Sequence, residues 1–377
     1  MPRAGGLRPH LKTEHESTRL SNRRFVLQAI FDDGPVSRAD LSRSTGLGKA
    51  TVSEIVGTLL GEGLVAETGQ GSSTGGKPPT LIELDPGGRF AVAVDLGVRP
   101  FEAALLDLRG RVVADGHGKA LAPTGRDAIE EIHRLVAELV GKASAPALGV
   151  GIGVPGVVDA TGRVVASDYL HWDGLGLSEE MEDVYGLPTY VAGDAEAAAI
   201  AEFGRSGSEP DSDLIYVKVD NRVSVGIVAS GRVHRTGRRG GDLTHVTVPG
   251  SDLKCVCGRV GCLGTVTSVA EVLGPEYADL GYEARRGLSA ETVPKLDQAA
   301  AAVGMVLAPI IVALDPDKVV VGGLLAEWPS VPGLLADAVA DCLGWSPAIE
   351  ATRLAHSAVL LGAGGMVLSG ELGVVWG

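Results

Sequence analysis

The feature that most constrains this fold is a pattern of β-strands that occurs twice in the chain. Apolar runs separated by tight turns predict three antiparallel strands in succession, at residues 90–96, 101–107 and 111–116. The same arrangement returns about 120 residues later. Its strands are predicted at residues 214–220, 223–229 and 232–235. A meander that is repeated in this way predicts two structurally similar lobes.

Helices and further strands are predicted after each meander. In the first half they are a helix at residues 127–140, a strand at 148–154 and a helix at 195–203. In the second half they are a helix at 298–314, a strand at 318–321 and helices at 332–342 and near 362–368. Two such lobes with a cleft between them fit an actin-like architecture, although periodicity alone establishes only an α/β protein.

The residues before the first meander have a helical periodicity instead. Residues 20–32 form an amphipathic pattern, and a second helix opens at Ser37, with Asp40 at the spacing of a capping box. A glycine turn at 46–48 precedes a third helix from about residue 49 to residue 62. Its predicted buried stripe is Val52, Ile55, Val56 and Leu59. The residues that must then face outward are Ala50, Thr51, Ser53 and Glu54.

A hairpin pattern completes this N-terminal segment. Strands at residues 64–67 and 80–84 flank the tip sequence TGQGSSTGGKPP. Two short helices joined by a glycine turn, the second beginning with small polar residues, are typical of a helix-turn-helix that enters the major groove. We therefore predict a winged helix-turn-helix DNA-binding domain at residues 1–85. A generic small domain without a nucleic-acid role is the alternative.

The charge distribution agrees with a DNA-binding surface in this segment. The net charge of the whole chain is −14, which argues against a protein that coats nucleic acid or membrane. Residues 1–60, however, contain 9 Lys+Arg and 6 Asp+Glu. The residues predicted to contact bases or phosphates are Arg23, Arg24, Arg38, Lys49, Ala50, Thr51, Ser53 and Lys77. Lys77, at the wing tip, is expected in the adjacent minor groove.

The N-terminal stretch MPRAGGLRPHLKTEHE lacks the apolar run that a signal peptide needs. No run of about 18 apolar residues is free of charges or of turn-forming residues. We therefore expect a cytoplasmic protein that has no membrane partner.

Three of the four cysteines fall within eight residues, at Cys255, Cys257 and Cys262. In a reducing compartment this clustering favours a metal site over disulfides. The glycines at 258 and 261 allow the tight turns that would bring the thiols together. Cys342 stands alone and is predicted to be a core residue.

The segment GDLTH at residues 241–245 precedes CVCGRVGCLG at residues 255–264. These segments resemble the patterns Glu-x-Gly-His and Cys-x-Cys-Gly-x-x-Gly-Cys-x-Glu of the ROK family, which is named for repressors, open reading frames and kinases. The N-terminal segment also resembles the DNA-binding domain of the ROK repressors, including the wing-tip sequence GGKPP at residues 75–79. The resemblance therefore covers nearly the whole chain.

The resemblance implies a two-lobed actin-like domain, ribonuclease H-like and of the sugar-kinase type, at residues 86–377. One lobe would cover roughly residues 86–195 together with the C-terminal helix, and the other roughly residues 196–360. Joined to the N-terminal winged helix-turn-helix, this domain makes the expected fold class α/β.

The resemblance also implies a metal site. His245, Cys255, Cys257 and Cys262 would form the closed tetrahedral shell that is typical of structural Zn²⁺. In the family the zinc lies close to the sugar site, so here it would shape the loop and orient His245 beside a ligand. It would not activate water. Three reduced cysteines near a surface histidine, without a metal, are the alternative.

Phosphoryl transfer is not expected, because both phosphate-binding turns of the ROK kinases are altered here. The first, Asp-x-Gly-Gly-Thr, is DLGVRP at residues 95–100, with a cation and a proline where small residues belong. The second, Gly-Thr-Gly-x-Gly, is DNRVS at residues 220–224, which lacks all three glycines. ATP should therefore be excluded, and we predict no enzyme activity.

The ligand site of the family is matched in part. Asp194 stands at the position of the kinase base, which in ROK repressors accepts a hydrogen bond from the sugar; a helix N-cap is the alternative role. Asp242 and His245 occupy two further sugar-binding positions, whereas glycines at 193 and 264 replace an Asn and a Glu. Trp172 either stacks on a sugar face or fills the core. The ligand of this site is left open among three alternatives: a sugar, a modified or phosphorylated sugar, and no ligand at all.

These expectations describe a sequence-specific transcriptional regulator, a repressor of carbohydrate-related genes. The kinase-like domain would act as a zinc-containing ligand sensor and oligomerisation module, with a sugar or sugar derivative as effector. A homodimer or homotetramer would bind a palindromic operator in double-stranded DNA. The alternatives are an ATP-dependent sugar kinase and a ligand-independent regulator.

Overall fold

The computed structural model describes residues 14–72, 78–97, 100–119, 123–205, 212–235, 240–274 and 293–374. These residues form two compact units. The first unit extends to Arg89 and includes a short C-terminal segment that begins at Ser369, whereas the second extends from Phe90 to Leu368. The domain limits at residues 85 and 86 and the limits of the two lobes stay predictions.

Three helices and a small antiparallel sheet make up the first unit. The helices are α1 (Glu14–Asp33), α2 (Arg38–Thr45) and α3 (Lys49–Gly61). The strands are β1 (Val36–Ser37), β2 (Val65–Gln70) and β3 (Thr80–Leu84), and they are arranged in the order β1-β3-β2. The predicted helices and hairpin are therefore confirmed. Their shared core contains Val26, Leu27, Ile30, Leu41, Val52, Val56, Leu59 and Ile82.

Local sequence signals determine where α2 and α3 begin and end. The Ser37 Oγ accepts a hydrogen bond from the Asp40 N–H, and the Asp40 carboxylate accepts one from the Ser37 N–H, which is the predicted capping box. Gly46 ends α2 with a φ of 70°, a left-handed conformation that glycine adopts without strain. Helix α3 then begins at Lys49. Its buried face consists of Val52, Ile55, Val56 and Leu59, as predicted.

The first meander begins the second unit. Its antiparallel strands are β4 (Phe90–Asp95), β5 (Glu102–Asp107) and β6 (Val112–His117). Helix α4 (Gly125–Lys142) packs on this meander and leads to β7 (Ala147–Val154), which lies parallel to β4. The predicted meander, helix and strand are thus confirmed.

A small second sheet interrupts this half of the unit and was not predicted. It consists of β8 (Val157–Val158), β9 (Val164–Ser167) and β10 (Trp172–Leu175). These strands are too short to produce a clear alternation of apolar and polar residues. Helix α5 (Leu177–Tyr185) then leads to β11 (Thr189–Gly193), which pairs with β7 in parallel, and α6 (Asp194–Arg205) follows directly.

The second meander is β12 (Leu214–Val219), β13 (Val223–Ala229) and β14 (Arg232–Val233). The helices that follow it are α7 (Gly264–Thr267), α8 (Val269–Leu273), α9 (Val293–Leu314), α10 (Val331–Leu343) and α11 (Ala358–Leu372). Strand β15 (Lys318–Gly322) lies between α9 and α10, and β16 (Ala348–Ala351) lies between α10 and α11. Both strands extend the sheet in parallel.

The two five-stranded sheets have the same topology, which confirms the predicted repeat. Their strand orders are β11-β7-β4-β5-β6 and β14-β13-β12-β15-β16. In each, the first strand of the meander lies at the centre, between its antiparallel partner and a parallel strand. The carboxyl ends of β4, β11 and β12 therefore carry the side chains that meet in the cleft described below.

Helix α9 is long and apolar enough to cross a membrane by length and composition, with a hydropathy of 1.8 over Lys295–Leu314. Apolar side chains recur along it at helical spacing and pack in the core beneath the second sheet. They are Leu296, Ala299, Ala300, Val303, Leu307 and Ile311. We interpret α9 as a core helix.

The prediction that Cys342 is a core residue is wrong, because its side chain is exposed. Helix α10 buries Val331, Leu335 and Val339, which are four residues apart and so share one face. The next position on that face is Leu343, which packs against the core, and Cys342 lies beside it on the solvent side.

Candidate functional site

The predicted metal ligands lie in the segment that follows β14. An isolated β-bridge joins Thr247 to Cys262 and holds the two ends of the loop together. Within the loop, the Gly258 N–H donates to the Cys255 carbonyl at 2.9 Å, and Gly258 has a φ of 85°. A Cβ at Gly261 would lie only 2.7 Å from a backbone carbonyl oxygen. Both glycines are therefore needed for the turn that brings the cysteines together.

His245, Cys255, Cys257 and Cys262 direct their ligand atoms toward one another. All four atoms lie within 4.8 Å of each other. The Cys255 Sγ is 3.4 Å from the His245 Nδ1, and the Cys257 Sγ is 3.6 Å from the Cys262 Sγ. Tetrahedral coordination with Zn–S bonds of about 2.3 Å places two sulfurs about 3.8 Å apart. The cluster therefore has the donor set and the spacing to hold one tetrahedral metal ion.

The surroundings of these ligands differ in polarity. Burial raises the pKa of the Cys262 thiol to about 11, whereas hydrogen bonds from the Arg259 backbone and side chain lower the pKa of Cys257 to about 6. The His245 Nε2 is 3.6 Å from the Asp168 Oδ2, on the side away from the cysteines. This separation is longer than a direct hydrogen bond, so Asp168 places a negative charge on the Nε2 side of the ring without bonding to it.

Asp194 lies in a separate cleft of the second unit, where β11 ends and α6 begins. Its Oδ1 accepts hydrogen bonds from the Ser224 hydroxyl at 3.1 Å and from the Ala195 N–H at 2.8 Å. Its Oδ2 is 3.1 Å from the Lys218 Nζ. Other residues that line the cleft include Gly156, Val158, Gly193, Glu196, Gly241 and Asp242. The predicted sugar acceptor is thus buried and already bonded within the chain.

Two further carboxylates of this cleft are paired with arginines. The Asp242 Oδ2 is 2.7 Å from an Arg222 guanidinium nitrogen, and the Glu196 Oε1 is 3.0 Å from the Arg235 Nε. Arg235 also donates to the backbone carbonyl of Val191 at 2.8 Å. Neither Glu196 nor Arg235 was predicted from the sequence. The signal for Glu196 was an acidic residue between two alanines of α6, two positions after Asp194.

The four predicted ligand-binding residues are only partly brought together. Asp194 and Asp242 line the cleft, whereas the residues described around it do not include His245 or Trp172. Trp172 is 6 % exposed and packs in the core of the first lobe, and its indole N–H donates to the Gly125 carbonyl at 2.9 Å. Of the two roles left open for Trp172, its burial favours filling the core over stacking on a sugar face.

The altered phosphate turns lie beside Asp194. At the first, the Gly97 N–H donates to the Asp95 carboxylate at 2.7 Å, and burial raises the pKa of Asp95 to about 7. At the second, Lys218 contacts Asp220. Lys218 was not identified from the sequence, although a lysine between valines in a buried strand is a visible anomaly. Residues 98 and 99 lie outside the described part of the chain.

Four of the residues predicted to contact DNA lie in the first turns of α3. Lys49, Ala50 and Ser53 are exposed and Thr51 is half-buried, whereas Val52 is fully buried. This alternation follows from the helical period, which turns the apolar stripe toward α1 and α2. The small outward side chains leave the helix backbone accessible on this face.

The predicted phosphate contacts differ from one another in their partners. Arg38 forms an ion pair with Glu67 at 3.0 Å, and Arg23 forms one with Glu62 at 2.6 Å. Arg24 is exposed. Lys77 lies outside the described residues. Arg23 therefore lies beside the end of α3, away from its first turn.

A family model described as "ROK family" matches residues 91–369. The xylose repressor of Caldicellulosiruptor bescii is 33% identical over 271 residues, which cover 69% of this chain and 66% of that protein. The transcriptional dual regulator NagC of Escherichia coli is 26% identical over 355 residues, which cover 88% of this chain and 86% of that protein. The named relatives are thus transcriptional regulators.

Solved structures show the same fold. A ROK family transcriptional regulator, described as a homologue of the E. coli MLC protein, aligns with a TM-score of 0.75 at 24% identity and covers 94% of this chain and 96% of its own. A ROK family glucokinase from Streptomyces griseus aligns with a TM-score of 0.60 at 25% identity and covers 73% of this chain and 98% of its own. Regulators and kinases therefore share the fold of the second unit.

Proposed function

The chain belongs to the ROK family, and on this basis we propose that it is a sequence-specific DNA-binding repressor of carbohydrate-related genes. The observation that carries the proposal is the exposed first turn of α3, which presents small polar side chains directly after a glycine turn. The names of the relatives, which include a xylose repressor and a DNA-binding regulator, support the same function.

The first unit would bind DNA as a winged helix-turn-helix. Ala50, Thr51 and Ser53 would face base edges in the major groove, and Lys49 would contact a phosphate. Arg24 and Arg38 are proposed as further phosphate contacts, and Lys77 as a contact in the adjacent minor groove. Arg23 is a weaker candidate because its guanidinium is paired with Glu62.

We propose that the second unit assembles the chain into a homodimer or homotetramer. Two first units related by a two-fold axis would then occupy the two halves of a palindromic operator. The operator is chromosomal DNA, so the proposed location is the cytoplasm.

We propose that His245, Cys255, Cys257 and Cys262 hold structural Zn²⁺. Such an ion would supply a rigid four-way crosslink with no open coordination position. The donor set of three thiols and one imidazole and the spacing of about 3.5 Å between neighbouring ligand atoms support this assignment. Asp168 would place a negative charge on the Nε2 side of the imidazole.

A sugar or sugar derivative is the proposed effector, and the cleft at Asp194 and Asp242 is its proposed site. Buried carboxylates are the usual acceptors for sugar hydroxyls because charged acceptors form stronger hydrogen bonds. A ligand here would have to displace Ser224 or Arg222 from these carboxylates. The ligand would change the affinity for DNA only if the second unit had two conformations and the ligand bound them with different affinities.

The absence of kinase activity is also proposed. The second phosphate turn carries Asp220 and Arg222 in place of glycines, and the ammonium of Lys218 lies beside it. A coupled ATPase assay with hexoses and amino sugars tests this point. Turnover that Asp194→Asn abolishes would establish a kinase instead.

Electrophoretic mobility shifts on the DNA upstream of the protein's own gene test the DNA proposal. The triple variant Lys49→Ala, Thr51→Ala, Ser53→Ala should weaken binding at least about 10-fold, because each base contact contributes about 1–3 kcal/mol. Thr58→Ala is the matched control, since Thr58 is exposed on the last turns of the same helix. Equal binding by the triple variant and the control would refute the assignment of this surface.

Thermal unfolding with xylose, N-acetylglucosamine and glucose tests the effector proposal. A sugar that occupies the cleft should raise the Tm of the wild-type protein and not that of Asp194→Asn, because a ligand stabilises the state that binds it. Arg163→Ala, a change on the exposed surface of the second unit, serves as the matched control.

A ligand-independent regulator is the second candidate. It is favoured by one observation: Asp194, Glu196 and Asp242 each have a cation of the chain as a partner. Under this alternative no sugar changes the Tm or the affinity for DNA.

A further inference from the structure

Lys218 is a cation in the middle of a buried strand. It lies in β12 between Val217 and Val219 and is 5 % exposed. Its Nζ is 3.1 Å from the Asp194 Oδ2 and also contacts the Asp220 carboxylate. The side chains of all three residues are largely removed from solvent, with exposed fractions of 7 %, 6 % and 18 %. A buried ammonium with two carboxylates is retained only where its partners compensate for lost hydration.

A third carboxylate belongs to the same cluster. A Cβ placed on Gly97 would lie 3.1 Å from the Asp95 Oδ1, 3.6 Å from the Lys218 Nζ and 3.7 Å from the Asp194 Oδ2. The three groups therefore surround one point in the first phosphate turn. Asp95 is 1 % exposed, and attraction to Lys218 opposes the effect of burial on its pKa.

The members of this cluster come from both sheets of the second unit. Asp95 and Asp194 stand at the carboxyl ends of β4 and β11 in the first sheet. Lys218 and Asp220 stand at the end of β12 in the second sheet. The Ser224 hydroxyl, on β13, adds a hydrogen bond to Asp194 across the same boundary. The cluster is thus a polar contact between the two lobes at the base of the cleft.

We propose that Lys218 is a built-in cation that gathers Asp95, Asp194 and Asp220 and joins the two lobes, in the place where a divalent cation would otherwise bind. Carboxylates gathered in one place, here Asp95 and Asp194 beside Gly97 with Asp220 against Lys218, are the ligands that Mg²⁺ and Mn²⁺ prefer. An ammonium is a compact charge with three donors, so it satisfies the same oxygens without a metal. The inference goes beyond the proposed function and does not depend on DNA binding.

One consequence concerns the phosphate turns. A metal-bound polyphosphate needs the backbone of such a turn and a metal site beside it. Here the ammonium occupies the metal position and lies against Gly97, the glycine that remains in the first turn. Lys218 therefore excludes a metal–phosphate ligand from this side of the cleft and leaves the Asp242 side accessible.

Thermal unfolding of the full-length, zinc-loaded chain with and without millimolar MgCl₂ or MnCl₂ tests the proposal. Lys218→Ala should lower the Tm by roughly 5–10 °C without added cation, because removal of one partner leaves buried carboxylates uncompensated. Either cation should restore much of that loss in Lys218→Ala. Neither cation should change the Tm of the wild-type protein or of Lys142→Ala, a lysine on the exposed end of α4 that serves as the control.

Two outcomes would overturn the proposal: a Lys218→Ala protein as stable as the wild type, or one that is destabilised and gains nothing from either cation. If Lys218→Ala does not fold under any of these conditions, the double variant Lys218→Ala, Asp220→Asn decides. It removes one uncompensated carboxylate together with the cation, so it should fold and respond less to MgCl₂. A double variant that also fails to fold would contradict the proposal.

Discussion

The first turn of α3 and the cleft at Asp194 are both polar, but their polar groups have different partners. On α3, Lys49, Ala50 and Ser53 project into solvent. In the cleft, each carboxylate among the described lining residues is bonded to a cation of the chain, from Lys218, Arg222 or Arg235. A partner can approach the first surface without breaking a contact within the protein, whereas a ligand of the cleft must replace contacts that already exist.

This difference follows from how each region is built. The α3 surface is the outer side of one helix whose inner side is apolar, so its polar residues are exposed by geometry alone. The cleft lies where strand ends of two sheets meet, so its charges are buried and must be compensated. A mutation should therefore affect mainly binding at α3 and mainly stability at the cleft.

The largest expected effect concerns the cluster of His245, Cys255, Cys257 and Cys262, which lies apart from both regions. Cys262→Ala should reduce bound zinc from one equivalent per chain to nearly none and lower the Tm by more than about 10 °C, because binding of a structural metal contributes directly to folding. Elemental analysis and calorimetry measure the two effects. Cys342→Ala, at the exposed cysteine, is the control and should retain the metal. One full equivalent of zinc in the Cys262→Ala protein would show that the cluster is not the site.

The next effect is a pH dependence at Asp95, in the first phosphate turn at the base of the cleft. Burial raises the pKa of Asp95 to about 7, above its ordinary value of 3.8. The folded state therefore keeps a proton that the unfolded state has lost, so the free energy of unfolding should fall between about pH 4 and pH 7. Asp95→Asn should remove this pH dependence. Its free energy of unfolding relative to the wild type should therefore rise by on the order of 3 kcal/mol between pH 4 and pH 8. Parallel stability–pH curves of the two proteins would contradict the assignment.

A pair of arginine variants compares the buried and the exposed ion pair directly. Arg222→Ala should lower the free energy of unfolding by about 2–3 kcal/mol, because it leaves the largely buried Asp242 unpaired. Arg38→Ala, whose partner Glu67 is about half exposed, should cost less than about 1 kcal/mol. Urea unfolding measures both. Similar values for the two variants would remove the energetic distinction between cleft and surface.

The smallest effect concerns the helix that supports α3. Ser37→Ala removes the side-chain acceptor for the Asp40 N–H and should cost about 1 kcal/mol of stability. Ser44, in the same helix, donates a long hydrogen bond of 3.4 Å to the Leu41 carbonyl. Ser44→Ala should therefore cost less stability than Ser37→Ala. Urea unfolding measures the difference, and affinity for DNA at low temperature should change little in either variant.

Much of the fold could be predicted because its signals are local. The helical stripe of α3, the capping box at Ser37 and the two meanders depend on residues close together in the sequence. The sheet β8-β9-β10 was missed because its strands contain two to four residues. Cys342 was misplaced because a single apolar side chain has no period from which to infer its face.

The site was predictable to the extent that its residues are neighbours in the chain. The clustering of Cys255, Cys257 and Cys262 followed from their spacing and the glycines between them, whereas their convergence with His245 was implied by the resemblance to the ROK family. Arg235 and Lys218 could not be connected to Glu196 and Asp194 from the sequence, since these contacts join residues 39 and 24 positions apart on different elements.

The sequence by itself determined the repeated meander, the exposed face of α3 and the clustering of three cysteines, because local geometry and spacing suffice for each. Only the tertiary structure decided that Trp172 fills the core and that every described carboxylate of the cleft has an internal cation. The reason is that burial and charge pairing arise where distant strand ends meet. A lone lysine in an apolar strand indicates that a partner must exist, but the packing of the two sheets determines which carboxylates it contacts.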